Sequence, residues 1–510
     1  MDKKTLTALG LCFLIYLGWY HFFMIPQIEH PRKIQPSSVT KQHEVQPIQE
    51  FQKKEENRRI EKPYHLHLKH AEILLANPGD IHDWKLKNYQ TNQDQNSSSI
   101  HLKAFTNQDY QVQLAFDIQD YLYLNSISGE FSRTQNQVNW TYEDSNIVLK
   151  KNWHIPEQPH HQHYLNFTVN AQFKTKIPRY AFLSLSAQNM NSDEGQWIYW
   201  KNQSVERISI GKKIEQKALG YPLRYIGITN RYFVFALIAQ SSFVPSGLIQ
   251  PIHPSGGRLS LAYSIPGNSI QIPLRVYFGP KELETLRLVE PSLDYAVDFG
   301  WFTFFAYPLL RLLKWLYQFV QNYGVAIILL TLFLKLLTFP LTYKGMKSMK
   351  NVAKIQPQLE KLRAKYKDDK MQLNQEILML MKNQGYNPMA GCLPILIQMP
   401  IFIALYRVLY NSIELYHAPF MLWIQDLSSK DPYYVTPIIL SILMYIQQKL
   451  TPQTTTDPAQ AKIMQFMPLI FGLFMLTLPA GLTLYMLTNT LASILQQMIL
   501  NRKLEAYAQR

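Results

Sequence analysis

Apolar and polar positions follow two rhythms along this chain: long uncharged apolar runs lie near its ends, and short alternating runs fill its middle. Residues 5–28 carry no charged side chain and include LGLCFLIYLGWYHFFMI; 383–406 and 432–448 are also uncharged, and 463–501 stays uncharged for 39 residues. A helix needs about 20 mostly apolar residues to cross about 30 Å of hydrocarbon. At about 1.5 Å per residue, the last run would be nearly twice that length as one helix, so the Pro479-Ala480-Gly481 break predicts two antiparallel spans. A further run, 315–343, is interrupted by one charge, Lys335. The pattern predicts six transmembrane helices.

Residues 298–320 (DFGWFTFFAYPLLRLLKWLYQFV) have the length of a seventh, but Arg311 and Lys314 lie inside, Pro308 interrupts, and Trp301, Trp315 and Tyr317 favour the headgroup level. An amphipathic helix in the interface fits this pattern. Residues 29–60, rich in Pro, Gln, Lys and Glu, read as a linker with too little apolar content to fold. From 61 to 297 the period changes to two: YQVQLAFDIQ, NIVLKKNWHI, HYLNFTVNAQF, RYFVFALIAQ and SIQIPLRVYF are separated by Gly, Pro, Asn and Ser clusters. The expectation is a polytopic α-helical membrane protein carrying a large all-β sandwich domain.

Composition sharpens this through its distribution. The 510 residues hold 51 Lys+Arg against 36 Asp+Glu, a formal net charge of +15, yet charged residues are only 17% and aromatics 13%. Residues 25–300 have 29 basic and 26 acidic side chains, whereas 301–510 have 20 and 9, so the surplus belongs to the most apolar region. That excludes a nucleic-acid arm and leaves no DNA partner to expect. The segment 342–389 carries ten basic residues, the segment 411–431 only Lys430. Positive-inside then places both termini and 342–389 in the cytoplasm and 29–320 outside; a seventh span would invert this. No small-x-small cleavage site follows the first apolar run, so residues 1–28 read as an uncleaved signal anchor.

Within 342–389, Ile355, Leu359, Leu362 and Tyr366 form one helical stripe and Leu373, Ile377 and Leu380 another, with a polar turn at 367–370. This predicts an antiparallel helical hairpin whose basic positions Lys361, Arg363, Lys365, Lys367 and Lys370 are either a solvated face or a contact for anionic lipid or ribosomal RNA. Lys335 sits in LLTLFLKLLTFPLT, where an ionisable group costs about 2.5–3.5 kcal/mol and faces protein or a water-filled cavity. Thr331, Lys335 and Thr338 share one helix face at i, i+4 and i+7. Gln398, Gln465, Thr488, Asn489, Gln496 and Gln497 are available from other spans, and no intramembrane Asp or Glu offers a counter-ion.

Nothing points to bond chemistry: no phosphate-binding loop, nucleophile elbow or metal-ligand set is present, and no cofactor is expected. Cys12 and Cys392 both lie in apolar runs. His65, His67 and His70, then His160, His161 and His163, suggest metal, but no carboxylate motif accompanies them, and they read as a strand face and a polar loop.

The strings DYAVDFGWFTFFAYPLLRLLKWLY, NYGVAIILLTLFLKLLTFPLT, NPMAGCLPILIQMPIFIALY, DLSSKDPYYVTPIIL and KIMQFMPLIFGLFMLTLPAGLTLY, in that order, resemble the bacterial YidC-type membrane protein insertases, in particular the Gram-negative form with a large periplasmic domain. The resemblance implies an inner-membrane, non-enzymatic insertase and chaperone with a five-helix core at 321–510, whose hydrophilic groove opens to cytoplasm and lipid. It implies nascent membrane proteins as clients, with the Sec translocon, ribosome, signal recognition particle and membrane lipids as partners. Lys335 stands where the family usually has Arg, which keeps charge but loses the bidentate fork. Thr331 and Tyr485 match the family's groove; Met486 replaces a residue often aromatic. Two rival readings remain on the residues alone: a transporter using Lys335, which would need a second intramembrane charge or inverted repeats, and a membrane-anchored carbohydrate-handling β domain.

Overall fold

The computed structural model describes residues 63–508, except 92–97, 103–111, 118–120, 122–123, 125–126, 158–162, 189–194, 211–213, 241–243, 253–255, 367–368, 384–392 and 452–457. The expected signal anchor and linker, both cysteines, His160, His161 and Lys367 lie outside the described residues.

Eighteen strands run from β1 (Tyr64–His67) to β18 (Ser269–Pro280) and form three antiparallel sheets. The first joins β1, β2 (Ala71–Ala76), β3 (Asp80–Gln90) and β4 (Ser99–His101) in sequence order. A five-stranded sheet is built around β10 (Tyr180–Gln188) and β17 (Gly256–Ser264), and a nine-stranded one around β15 (Phe233–Ala239), β18 and β9 (Tyr164–Phe173). The pattern of period two predicted a sandwich, and the structure adds a third small sheet. Strand β9 alternates buried and half-buried positions, as a sheet with one dry face should. Strand β15 is buried at every position. Its Phe233, Phe235 and Leu237 face the sandwich core, while Val234, Ala236 and Ile238 pack against Leu286, Val289 and Leu293 from α1 (Leu283–Val289) and the short turn after it.

A tight turn anchors the sandwich. Gly79 takes φ +79°, beneath the Trp140 ring, where a side chain would meet both a strained backbone and the indole. Trp140 Nε1 donates to Asn77 Oδ1 at 2.9 Å and Trp153 Nε1 to the Gly79 carbonyl at 3.1 Å. Lys151 donates to the Pro78 carbonyl at 2.7 Å and pairs with Asp80. This buried cation therefore has every charge and dipole it requires.

The helices are α2 (Thr303–Val320), α3 (Tyr323–Lys354), α4 (Gln356–Lys365), α5 (Lys370–Asn383), α6 (Leu393–Asn411), α7 (Val435–Leu450), α8 (Pro458–Met475) and α9 (Ala480–Ala508). Helix α2 buries Ala306, Leu310 and Leu313 on one stripe and exposes Trp315 and Phe319, the amphipathic form expected of 298–320. Pro308 does not interrupt it: the helix continues through the residue. The apolar run that begins at 315 is divided between this helix and the next, with the break at 321–322. Gln321 adopts φ 51° and ends α2, and Asn322 Oδ1 accepts from Val325 N at 3.1 Å to cap α3. Helix α3 passes through Pro340 to Lys354, so the basic segment that starts at 342 begins inside a continuous helix.

Helices α4 and α5 pack on one another, with Ile355 and Leu359 buried and Leu362, Tyr366, Leu373, Ile377 and Leu380 half-buried. Asp369 caps α5 through Gln372 N at 2.9 Å. Helix α9 packs against α3, α6 and α7, α8 lies on α7, and α2 contacts α3 and α6. Among the described residues one helical stretch, Tyr323–Tyr343, is long and apolar enough to cross a membrane, with mean hydropathy 2.2; Val435–Leu450 and Phe466–Met475 are shorter apolar stretches.

The β domain meets the helices through the β14–β15 turn, where β14 is Leu223–Thr229. Arg231 Nε donates to the Tyr410 carbonyl at 2.6 Å and its guanidinium stacks 3.6 Å above the Tyr410 ring. Tyr416 OH donates to the Gln90 carbonyl at 2.6 Å. Lys314 of α2 lies 3.3–3.6 Å from Glu282, Glu284 and Glu414. Burial pushes the Glu414 carboxyl up, opposed by Lys314.

Candidate functional site: a polar recess with one cation

Three helices bring polar side chains to one place. Thr331, Leu334, Lys335 and Thr338 from α3, Gln398 and Ile401 from α6, and Tyr485 and Asn489 from α9 line a small recess. The helical spacing of 331, 335 and 338 puts them on the face of α3 that meets α9 and α6. Pro400 lies within α6, and Phe402 and Tyr485 rings approach at 6.4 Å with an interplanar angle of 22°.

The threonines are quiet members of this wall. Thr331 Oγ1 donates to the Ile327 carbonyl at 2.7 Å and Thr338 Oγ1 to Leu334 at 2.8 Å, so each satisfies its hydroxyl within its own helix. Gln398 Nε2 donates to Tyr485 OH at 2.9 Å, with Asn489 Oδ1 at 3.4 Å, tying α6 to α9. Lys335 is different. Its Nζ donates to Ser493 Oγ at 2.7 Å, Ser493 Oγ donates in turn to the Asn489 carbonyl at 2.8 Å, and among the described residues no carboxylate pairs with the cation.

Of the residues expected at the site, Thr331, Lys335, Thr338, Gln398, Tyr485 and Asn489 come together. Met486 instead packs half-buried against the helical core beside that wall. Gln465 sits on α8, and its side chain lies outside the described residues. Lys361 and Lys365 are exposed on α4; Arg363 and Lys370 are helical there and on α5, with side chains outside the described residues. The sequence reading missed Ser493. Its signal was available: 489, 493 and 496–497 are successive turns of one helix face, and Gln496 Nε2 reaches the Lys335 carbonyl at 3.4 Å.

Around the recess the helices are apolar outward. Leu336 and Leu337 on α3, Ile438 and Ile442 on α7, Leu469, Ile470 and Leu473 on α8, and Leu495 on α9 are all exposed. A continuous apolar exterior of this kind is a surface for lipid or for another apolar helix. The recess thus offers a positive charge and hydrogen-bonding groups within an apolar belt.

Comparison with known proteins points the same way for both parts of the chain. Residues 72–312 match the family described as YidC periplasmic domain, and residues 315–507 the family described as 60Kd inner membrane protein. A protein of Geotalea daltonii called membrane protein insertase YidC is 46% identical over 281 residues, covering 54% of this chain and 53% of that one. One of the same name from Geotalea uraniireducens is 50% identical over 287 residues, covering 55% and 54%. The chain spans about half the length of the curated relatives it matches. A crystal structure described as active YidC insertase with the first transmembrane domain resolved covers 86% of this chain and 94% of its own, at 20% identity and a TM-score of 0.36. With its β domain and its helical region matched in consecutive order, the chain belongs to the YidC family of inner membrane proteins.

Proposed function

We propose that this protein is a membrane protein insertase and chaperone of the bacterial inner membrane that works without nucleotide hydrolysis. The observation that carries the proposal is the cation at Lys335: among the described residues it has a hydroxyl partner and no carboxylate, in a recess bounded by outward-apolar helices. An unneutralised charge at membrane depth attracts acidic or polar groups strongly, because little water screens it. A nascent chain's polar flank enters the recess and lies near Lys335, so it crosses only part of the low-dielectric layer. Its apolar segment then slides along the outer faces of the third and fifth spans, α6 and α8, into lipid, driven by its own transfer free energy. The membrane potential pulls an acidic flank further outward. The named relatives support this assignment.

In the same proposal six helices span the membrane, both termini and the α4–α5 hairpin are cytoplasmic, and 29–320 are periplasmic. The hairpin's basic face meets anionic lipid or the ribosome, and the protein acts alone or beside the Sec translocon, downstream of signal recognition particle targeting. Site-specific crosslinking from positions 335 and 485 to stalled nascent chains tests the groove. Adducts at both positions with the flank and apolar segment of a single-span client are expected; the absence of adducts from both positions would overturn it. Deleting 61–280 separates this reading from a carbohydrate-handling one, since an insertase core keeps its activity.

A further inference from the structure

The small sheet at the start of the β domain has two different faces. Leu66, Ala71, Ile73, Trp84 and Leu86 point inward and are fully buried. On the opposite face stand His65 and His67 of β1 and Glu72 of β2. In sequence the two histidines lacked a carboxylate; the strand register supplies one. His67 pairs directly with Glu72 across the ladder, and His65 sits diagonally on the same face. Glu72 Oε1 lies 3.4 Å from His65 Nδ1 and 3.6 Å from His67 Nδ1. The two imidazoles stack with centroids 6.1 Å apart and planes 15° from parallel. One ligand atom from each of the three residues falls within 4.8 Å of the others.

From this geometry we infer that His65, His67 and Glu72 form a binding site for a first-row divalent cation, with Zn²⁺ its best-matched occupant. A zinc ion holds nitrogen and carboxylate oxygen at about 2.0–2.2 Å, so the ligand atoms of a tetrahedral site lie about 3.4 Å apart. Both nitrogen-to-oxygen edges are already near that length. The histidine–histidine edge closes by side-chain rotation, since both rings are on the solvent face and free to turn. The backbone beneath does not have to move, because the inward residues of the same strands are locked in the core. Two imidazoles and one carboxylate are a donor set that suits zinc, nickel and copper better than magnesium or calcium. The fourth position is left to water. Lys85 faces Glu72 across the β2–β3 ladder and lowers affinity by repulsion without occupying a ligand atom.

The site joins an edge strand to its neighbour. Strand β1 has four residues and, among the described residues, pairs only with β2, which makes it an edge strand of that sheet. A cation held by both strands staples that edge. His101 lies on the same face but is engaged by Asp83 at 2.6 Å, and His70 turns away to Asn88 at 2.6 Å, so neither completes the set.

Co²⁺ titration of the detergent-solubilised full chain, purified without a polyhistidine tag, tests the site. One equivalent of Co²⁺ with the intense visible absorption of four-coordinate cobalt, displaced by Zn²⁺, is expected. His65→Ala with His67→Ala should abolish that signal and Glu72→Gln should weaken binding at least tenfold. All three side chains are partly or largely exposed, so the variants keep the fold, and circular dichroism checks this. Zn²⁺ should raise the thermal midpoint of the parent chain and leave that of the double variant unchanged. Absence of the four-coordinate spectrum, or its persistence in the double variant, overturns the site; unchanged affinity in Glu72→Gln overturns the carboxylate as a ligand.

Discussion

Lys151 and Lys335 are both withdrawn from water, and they sit in opposite electrostatic situations. Lys151, in the β domain, has the Asp80 carboxylate, the Pro78 carbonyl at 2.7 Å and the Trp140 face 5.4 Å away. Lys335, in the helical recess, has the Ser493 hydroxyl at 2.7 Å and no acidic partner among the described residues. In the first case the fold has neutralised its own charge, and the lysine contributes architecture. In the second the charge is left over after folding, and its field is available to whatever enters the recess. A buried cation therefore says little about function until its partners are counted.

The comparison predicts that the two lysines fail in different ways. Lys151→Ala removes the cation paired with the buried Asp80 carboxylate, which costs about 3–5 kcal/mol, or a fall on the order of 10 °C in the thermal midpoint of a domain this size. Insertion at temperatures where the variant is folded should be unchanged. Thermal unfolding of the full chain, read beside an insertion assay, checks both. A variant that unfolds normally but fails to insert would erase the distinction.

A second stability effect belongs to the β domain alone. His163 is packed where burial, and then the neighbouring His70 ring 6.3 Å away, push its imidazole down from 6.5 to about 4, against an opposing pull from Glu282. The unfolded chain then takes up the proton first as pH falls. Stability is fully present above the ordinary histidine range and is lost between about 6.5 and 4, by about 2 kcal/mol given the partial exposure of the ring. His163→Asn should flatten that part of the midpoint-against-pH curve. An unchanged slope would mean that other groups carry it.

Lys335→Glu acts on function. Reversing the charge repels an acidic flank, and insertion of acid-flanked single-span clients should fall about tenfold or more, equivalent to about 1.4 kcal/mol. Lys335→Arg should stay near the parent, and the thermal midpoint of neither should move by more than a few degrees. Normal insertion of such clients by Lys335→Glu would remove the charge from the mechanism.

The fold and the recess were legible in the sequence to different degrees. Alternation at 147–154 and 164–173 announced strands because each has one wet face, and β8 (Ile147–His154) and β9 follow. Strand β15, within RYFVFALIAQ, reads as a strand with the others, but its burial at every position is not legible there, because one of its faces is covered by residues far along the chain at 286–293. The pattern separates an amphipathic 298–320 from the apolar run beyond it, but the left-handed glutamine that makes the break has no compositional mark. Lys335, Thr331 and Thr338 could be grouped by helical spacing alone, whereas the Gln398–Tyr485–Asn489 contact depends on how α6 meets α9. Glu72 shows the same limit: its place beside His65 and His67 is a matter of register between strands, which a list of residues does not contain.

The finest test concerns Ser493, the side chain that makes Lys335's case different from full neutrality. Its Oγ accepts from Lys335 Nζ and donates to the Asn489 carbonyl, so it holds the ammonium toward α9 without cancelling its charge. In Ser493→Ala the lysine keeps its charge and loses its fixed direction, and a long flexible stem then spreads that charge over more positions. A hydrogen bond of this kind contributes about 0.5–1.5 kcal/mol net, so insertion of acid-flanked clients should fall by about twofold to at most about tenfold, with neutral-flanked clients unaffected. Ser493→Thr keeps the hydroxyl and should restore the parent rate. If Ser493→Ala lowered insertion of both client types equally, the serine would be packing between α3 and α9 rather than aiming a charge. An increase for acidic flanks alone would mean that Ser493 competes with the client for the ammonium, and Lys335 would then be partly satisfied by its own fold, closer to Lys151 than its missing carboxylate implies.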